Sequence, residues 1–143
     1  MKFLQLDPRP ADMNERNDCA VRATVCASAL PYAEVHAAYA AAGRTARRGT
    51  PWSVCQDAAR ALFGADVEIV KFDANYELIG SPWRRRWHAS GRPTLARFTA
   101  EHRKGRYVVI IKGHALALVD GVQIDTAPSG SRCKVQAYIK VSD

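Results

Sequence analysis

Three side chains of this sequence can together perform acyl-transfer chemistry: the thiol of Cys19, the imidazole of His114 and the carboxylate of Asp125. A thiolate is a strong nucleophile, an imidazole accepts and returns a proton, and a carboxylate fixes the imidazole's tautomer. Cys19 stands in "NERNDCAVRATVCASAL", after Asn17-Asp18 and at the opening of a long apolar run. If that run is helical, Cys19 is its first or second residue. Helix N-termini carry partial positive charge and free N–H groups, and both stabilise a thiolate. The Cys19 backbone N–H would be one donor to an oxyanion, and Asn14 or Asn17 an upstream amide able to supply a second.

The other two residues lie in "RYVVIIKGHALALVDGVQIDTAP". It holds two β-rich runs, the second broken by Asp120-Gly121, a strong signal for a two-residue hairpin turn. Such a turn pairs Val119 with Val122 and Leu116 with Asp125. His114, Leu116 and Leu118 then share a face, with Asp125 on that face and diagonal to His114. Diagonal neighbours are about 7–8 Å apart at the backbone, within reach of polar side chains. Asp120 is excluded, because six residues of strand put it roughly 20 Å from His114.

The elements that must hold these residues are legible in part. Asp18 or Asn17 is a good N-cap, and "CAVRATVCASAL" has only Arg22, Thr24 and Ser28 as polar members, which predicts a buried helix. Asp18 and Arg22 add an i,i+4 pair. Pro31 begins a second helix, apolar at Tyr32, Val35, Ala38 and Tyr39, that stops at Gly43. Thr50 as cap, Pro51 as first residue and Gly64 as stop frame a third. "DVEIVKF" alternates as a strand, residues 74–93 read as a long loop, and Thr94 opens an amphipathic helix to about Lys104. "KVQAYIKV" is a closing strand. Helices first and antiparallel strands after predict an α+β domain.

With 143 residues, 48 % hydrophobic and 24 % charged, the chain is expected to form one domain over 1–143. No apolar run approaches the roughly 20 residues needed to span a bilayer, so no membrane partner is expected. "MKFLQLDPRPADMNER" does not resemble a secretory signal, which points to the cytoplasm. The cysteines at 19, 26, 55 and 133 show no two-residue spacing, so neither a metal site nor any cofactor is expected. The net charge of +7 favours an acidic partner or nucleic acid. Trp83–His88, "WRRRWH", combines arginines with aromatics, fit for stacking on bases, for Arg–aromatic contacts within the fold or for rimming a substrate cleft, and the last reading is preferred.

The segments "NDCAVRA" and "GHALALVDGVQIDT" give a pattern of an early cysteine opening a helix, a late strand histidine and an acid one strand on. This resembles the papain-like cysteine peptidase superfamily, and most of all peptidase C39-like domains and the small papain-fold proteins of bacteriophages. The resemblance implies a papain-like fold, with a helical half around a central cysteine-bearing helix and a C-terminal antiparallel sheet. It also implies cleavage of a peptide, isopeptide or related amide by Cys19, with His114 as base and Asp125 as orienter. Where that family has a glutamine six residues before the nucleophile this chain has Met13, so Asn14 and Asn17 are the substitutes considered. Ala20 and Val21 stand where a Gly and a Trp often flank the papain cysteine.

Other residues of the same types have plainer readings. Cys26, Cys55 and Cys133 read as buried small hydrophobes. His36 sits in a helical pattern, His88 in a loop and His102 at a helix end. A second functional class stays open: a non-catalytic, phage-type binding module or inhibitor that docks on a host protein or nucleic acid through a basic surface.

Overall fold

Alanines decide how the first helix sits. The structure, a computed structural model, describes residues 2–6 and 10–143, and for positions 88 and 89 the backbone only. Met1 and residues 7–9 of the N-terminal stretch considered above lie outside the described residues. Helix α1 (Cys19–Ser28) buries Ala20, Val21, Ala23, Thr24 and Ala27. Facing it are Ala115 and Ala117, small residues of a strand (His114–Val119) in the same buried cluster. Small side chains on both surfaces let helix and strand backbones approach closely, and Cys19 packs against the same cluster.

Two further helices pack beside it, α2 (Tyr32–Ala41) and α3 (Trp52–Phe63). Both start one residue later than expected, with Pro31 and Pro51 in extended backbone just before the first turn. Tyr39 of α2 is wholly buried, and its hydroxyl lies 2.7 Å from that of Thr24. Thr24 already donates to the Ala20 carbonyl at 2.8 Å, so Tyr39 is the donor of the pair. α1 ends at Ala29 in the left-handed region, and Arg106 donates from Nε to the Ala27 carbonyl at 2.6 Å and from Nη2 to that of Cys26 at 3.2 Å. A cation at carbonyls left open by the helix end is favourable in charge and in hydrogen bonding.

The main sheet has six strands: β1 (Lys2–Gln5), β2 (Glu68–Lys71), β5 (Arg106–Ile111), β6 (His114–Val119), β7 (Val122–Asp125) and β8 (Val135–Ser142), in the order β1-β7-β6-β5-β8-β2. All neighbours are antiparallel except β1 with β7, which run parallel. Asp120 and Gly121 both have positive φ, as a tight two-residue turn requires, and Val119 pairs with Val122. Helices α1–α3 cover one face over Val108, Ala115, Ala117 and Ile139. Helix α4 (Leu95–Glu101) covers the other, with Leu95 and Phe98 against Val109, Leu116, Leu118 and Val135. Each large apolar side chain so buried stabilises the fold by about 1.5–3 kcal/mol. The chain is thus a mixed α+β structure with four α-helices and a mostly antiparallel sheet among the described residues. No helix among them is long and apolar enough to cross a membrane.

Three features depart from the sequence reading. Lys2–Gln5 is a strand, and it precedes the helices. Residues 74–93, read as a loop, contain a separate hairpin of β3 (Asn75–Ile79) and β4 (Arg86–Ser90). Tyr76, Leu78 and Trp87 share one of its faces and are exposed, as is Trp83 in the turn, so no burial signal marked the strands. Finally, α4 stops at Glu101, short of Lys104. The His102 ring stacks on Phe98 at 4.0 Å and its Nδ1 donates to the Phe98 carbonyl, taking the place of the next helical amide.

Candidate active site

The position of Cys19 is set by the turns before it. Asn14 and Asn17 both adopt left-handed backbone, which asparagine tolerates better than most residues. Between them Glu15 turns inward and is buried. Arg44 grips its carboxylate with two hydrogen bonds, at 2.7 and 3.2 Å. The backbone N–H of Arg47 donates to it at 2.7 Å, and His36 Nε2 bonds the same carboxylate. These bonds tie the segment before α1 to α2 and to the loop after it. The Arg44 guanidinium holds the Glu15 carboxyl down at about 2, with His36 and the Arg47 amide adding to the effect and burial opposing it. Asp18 precedes the first helical residue but does not cap α1 with its side chain; Oδ2 accepts from the Tyr32 hydroxyl at 2.7 Å instead.

From there Cys19 opens α1, as its place after Asn17-Asp18 requires. His114 is the first residue of β6 and Asp125 the last of β7. His114 Nε2 and Asp125 Oδ2 are 2.5 Å apart. The other Asp125 oxygen accepts from the Thr126 backbone N–H at 2.7 Å. β1 steadies the acid from the outside: Gln5 pairs with Asp125, and the Leu6 N–H donates to the Asp125 carbonyl at 2.8 Å. Alternation alone would leave His114 and Asp125 on the α4 side with Leu116 and Leu118. At the strand ends both line the same cavity as Cys19.

His114 also lines both cavities with Cys19, and its imidazole favours the thiolate. With Nε2 turned to Asp125, Nδ1 is the nitrogen left for sulfur. Burial works to raise the Cys19 pKa, but the His114 hydrogen bond, the Ala115 and Ala20 backbone N–H groups and the imidazole's charge bring it below the ordinary thiol value. His114 is pushed up to about 10, first by Asp125 and then by Cys19, against the opposing effect of burial. Cys55 behaves in the opposite way: burial, and then the charge at Cys19, raise it to about 11.

Cys19 and His114 stand between two cavities. The smaller, about 140 Å³, is lined by the polar residues Asn17, Asp18, Arg22, Asp125 and Thr126 and by the apolar Leu6, Leu116 and Ile124. The larger, about 450 Å³, is walled by Pro51, Trp52, Cys55, Ile110 and Ile111. Of the amides considered for the oxyanion, Asn17 lines the smaller cavity and donates from Nδ2 to the Arg47 carbonyl at 3.3 Å. Asn14 lines neither cavity. Among the described residues, no group of three or more His, Cys, Asp or Glu side chains is placed to hold a metal ion. The β1 strand and the Glu15 cluster were missed in the sequence; the only signal for the first was the short apolar patch Phe3-Leu4, and the second had none. No family model, curated protein or solved structure matches the chain.

Proposed function

We propose that this protein is a papain-like cysteine hydrolase that cleaves a peptide, isopeptide or related amide. The observation that carries the reading is the meeting of Cys19, His114 and Asp125 at one open cavity, with His114 hydrogen-bonded to Asp125 and its imidazole favouring the Cys19 thiolate. The Cys19 thiolate attacks the carbonyl carbon, and the negative charge moves to the carbonyl oxygen. The Cys19 backbone N–H and the second N–H of the Asn17 amide are the donors suited to that oxygen. His114, protonated, gives its proton to the leaving amine as the C–N bond breaks, leaving a thioester on Cys19. A water then gives a proton to His114 and attacks the thioester, releasing the acid and regenerating the thiolate–imidazolium pair. Asp125 holds the imidazole through both steps. All four cysteines are free, which suits a reducing cytoplasm.

The test is iodoacetamide alkylation followed by peptide mapping, across pH, on the native protein and on His114→Ala. Cys19 should be alkylated first at neutral pH, well ahead of Cys55, and should lose that advantage in His114→Ala. Uniformly slow thiols in both proteins would refute the reading.

One observation favours the second class, a binding module. Trp83 is 92 % and Trp87 70 % exposed on a hairpin that also carries Arg84, Arg85 and Arg86. In that reading the arm docks on a nucleic acid or an acidic protein. Binding that weakens steeply with salt and disappears in Trp83→Ala/Trp87→Ala, in a protein whose Cys19 is unreactive, would establish it.

A further inference from the structure

We propose that the substrate is an acidic peptide, whose carboxylates are recognised by Lys112, Lys134 and Arg92 at the far end of the catalytic cleft. The inference rests on the hydrolase reading above and names the substrate class for that site. It begins from the sheet register. Ile111 pairs with His114 on one side and with Val135 on the other, so the three residues form one row across β6, β5 and β8. Lys112 follows Ile111 and Lys134 precedes Val135, both at the same end of the sheet as the catalytic pair.

The cavities follow this row. The larger cavity beside Cys19 is bounded by Ile111 and Gln136. Those two residues also wall a third cavity, of about 460 Å³, whose other lining includes Tyr76, Arg92, Lys112 and Lys134. The two cavities therefore meet at Ile111 and Gln136, with the thiol, Trp52 and Ile110 on one side and Arg92, Lys112, Lys134 and Tyr76 of the β3–β4 hairpin on the other. No carboxylate among the described residues lines that third cavity. Among the described residues, no carboxylate lies within ion-pair distance of Lys112, Lys134 or Arg92. Arg92 is held in place instead by neutral partners: Nε donates to the Phe72 carbonyl at 3.1 Å and Nη1 to the Tyr76 hydroxyl at 3.2 Å. The charges at this end are thus unneutralised and partly fixed, as a site for an anionic ligand needs to be.

The length of the cleft selects a peptide. Two strand spacings separate β6 from β8, about 10 Å, and an extended chain advances about 3.3 Å per residue. A peptide with its scissile bond at Cys19 would place its carboxylates about three residues away, with an apolar side chain against Trp52 between them. Acidic peptides that are not extended, or anions too short to span this distance, would not reach both ends.

The experiment uses Cys19→Ser protein, so that bound peptide is not consumed, and fluorescein-labelled peptides of about ten residues, long enough to cover the cleft from either side. One has an apolar centre and glutamates toward each end; its control has glutamines in their place. Fluorescence anisotropy should show the glutamate peptide bound at least about tenfold more tightly, with a preference that shrinks as salt is added. Lys112→Gln/Lys134→Gln should remove the preference while leaving the rate of Cys19 alkylation, measured with the native thiol, unchanged. Equal binding of the two peptides, or a preference that survives the double substitution, would overturn the proposal and leave the catalytic reading standing. A single-stranded oligonucleotide competing as well as the glutamate peptide would also overturn it. Slow alkylation of Cys19 alongside an intact glutamate preference would sink the hydrolase reading instead, so the two failures are separate.

Discussion

Asp125 Oδ2 stands 2.5 Å from His114 Nε2 although the two residues are not partners in the β-ladder. Pairing of Ala117 with Ile124 puts Asp125 one step beyond, opposite Leu116 and diagonal to His114. The carboxylate both orients the ring and is the largest influence raising its basicity. Asp125→Asn keeps the shape and removes the charge. Cys19 should then lose much of the imidazolium that stabilises its thiolate, and its alkylation at pH 6 should slow by about tenfold or more, one pKa unit being a tenfold change in thiolate. An alkylation midpoint unmoved in Asp125→Asn would show that Asp125 does not act through His114.

The pH window of activity follows from the two shifts. Cys19 is lowered from 9.0, so the thiolate persists below the ordinary range, and His114 is raised from 6.5 to about 10. Turnover needs thiolate and imidazolium together, so kcat/KM on any cleaved peptide should climb through the lowered thiol value and fall through about 10. The stability carried by the raised imidazole has the same upper edge: it is complete below 6.5 and lost as pH rises through about 10. A descending limb near 6.5 would mean that His114 acts as an unperturbed imidazole.

The meeting of Cys19, His114 and Asp125 at one cavity was legible because each of the three depends on local rules. The Asp120-Gly121 turn fixes the register, alternation then selects Asp125 over Asp120, and the Asn17-Asp18 start selects Cys19. What was hidden depends on partners far along the chain. Lys2–Gln5 pairs with residues 122–125, and its apolar members Phe3 and Leu4 stay exposed, so neither alternation nor burial marked it. The β3–β4 hairpin was masked by Arg84–Arg86 and by an apolar face left to solvent. Glu15 meets Arg44 and His36 at separations of 29 and 21 residues, and no spacing rule predicts such a meeting.

Glu15 should govern whether the segment before Cys19 stays in place. Glu15→Gln removes the negative charge from beside Arg44, whose side chain is 2 % exposed. Leaving one member of a buried ion pair alone costs about 3 kcal/mol or more. The sign of its pH dependence is set by the lowered pKa: the stabilisation is present above the ordinary 4.5 and lost as pH falls toward about 2. Native protein should therefore lose stability over that interval, while Glu15→Gln starts lower and is flatter across it. Urea denaturation at several pH values measures both. A variant as stable as the native protein at neutral pH would show that the Glu15 cluster does not anchor the segment.

Arg106 offers the converse case, a residue that holds α1 without touching its chemistry. Its guanidinium bonds the carbonyls of Cys26 and Ala27, at the far end of the helix from Cys19. Seven residues of helix, or roughly 10 Å, separate Cys26 from the thiol. Arg106→Met keeps most of the apolar stem and removes both hydrogen bonds and the charge. Hydrogen bonds from a charged donor contribute about 1.5–3 kcal/mol, so the variant should melt several degrees lower, at about 2–4 °C per kcal/mol for a chain of this size. The pH midpoint of Cys19 alkylation should not move, because His114, Ala115 and Ala20, the groups that lower it, are all at the other end. A shifted midpoint at unchanged melting temperature would reverse this assignment and make Arg106 part of the electrostatics of the site.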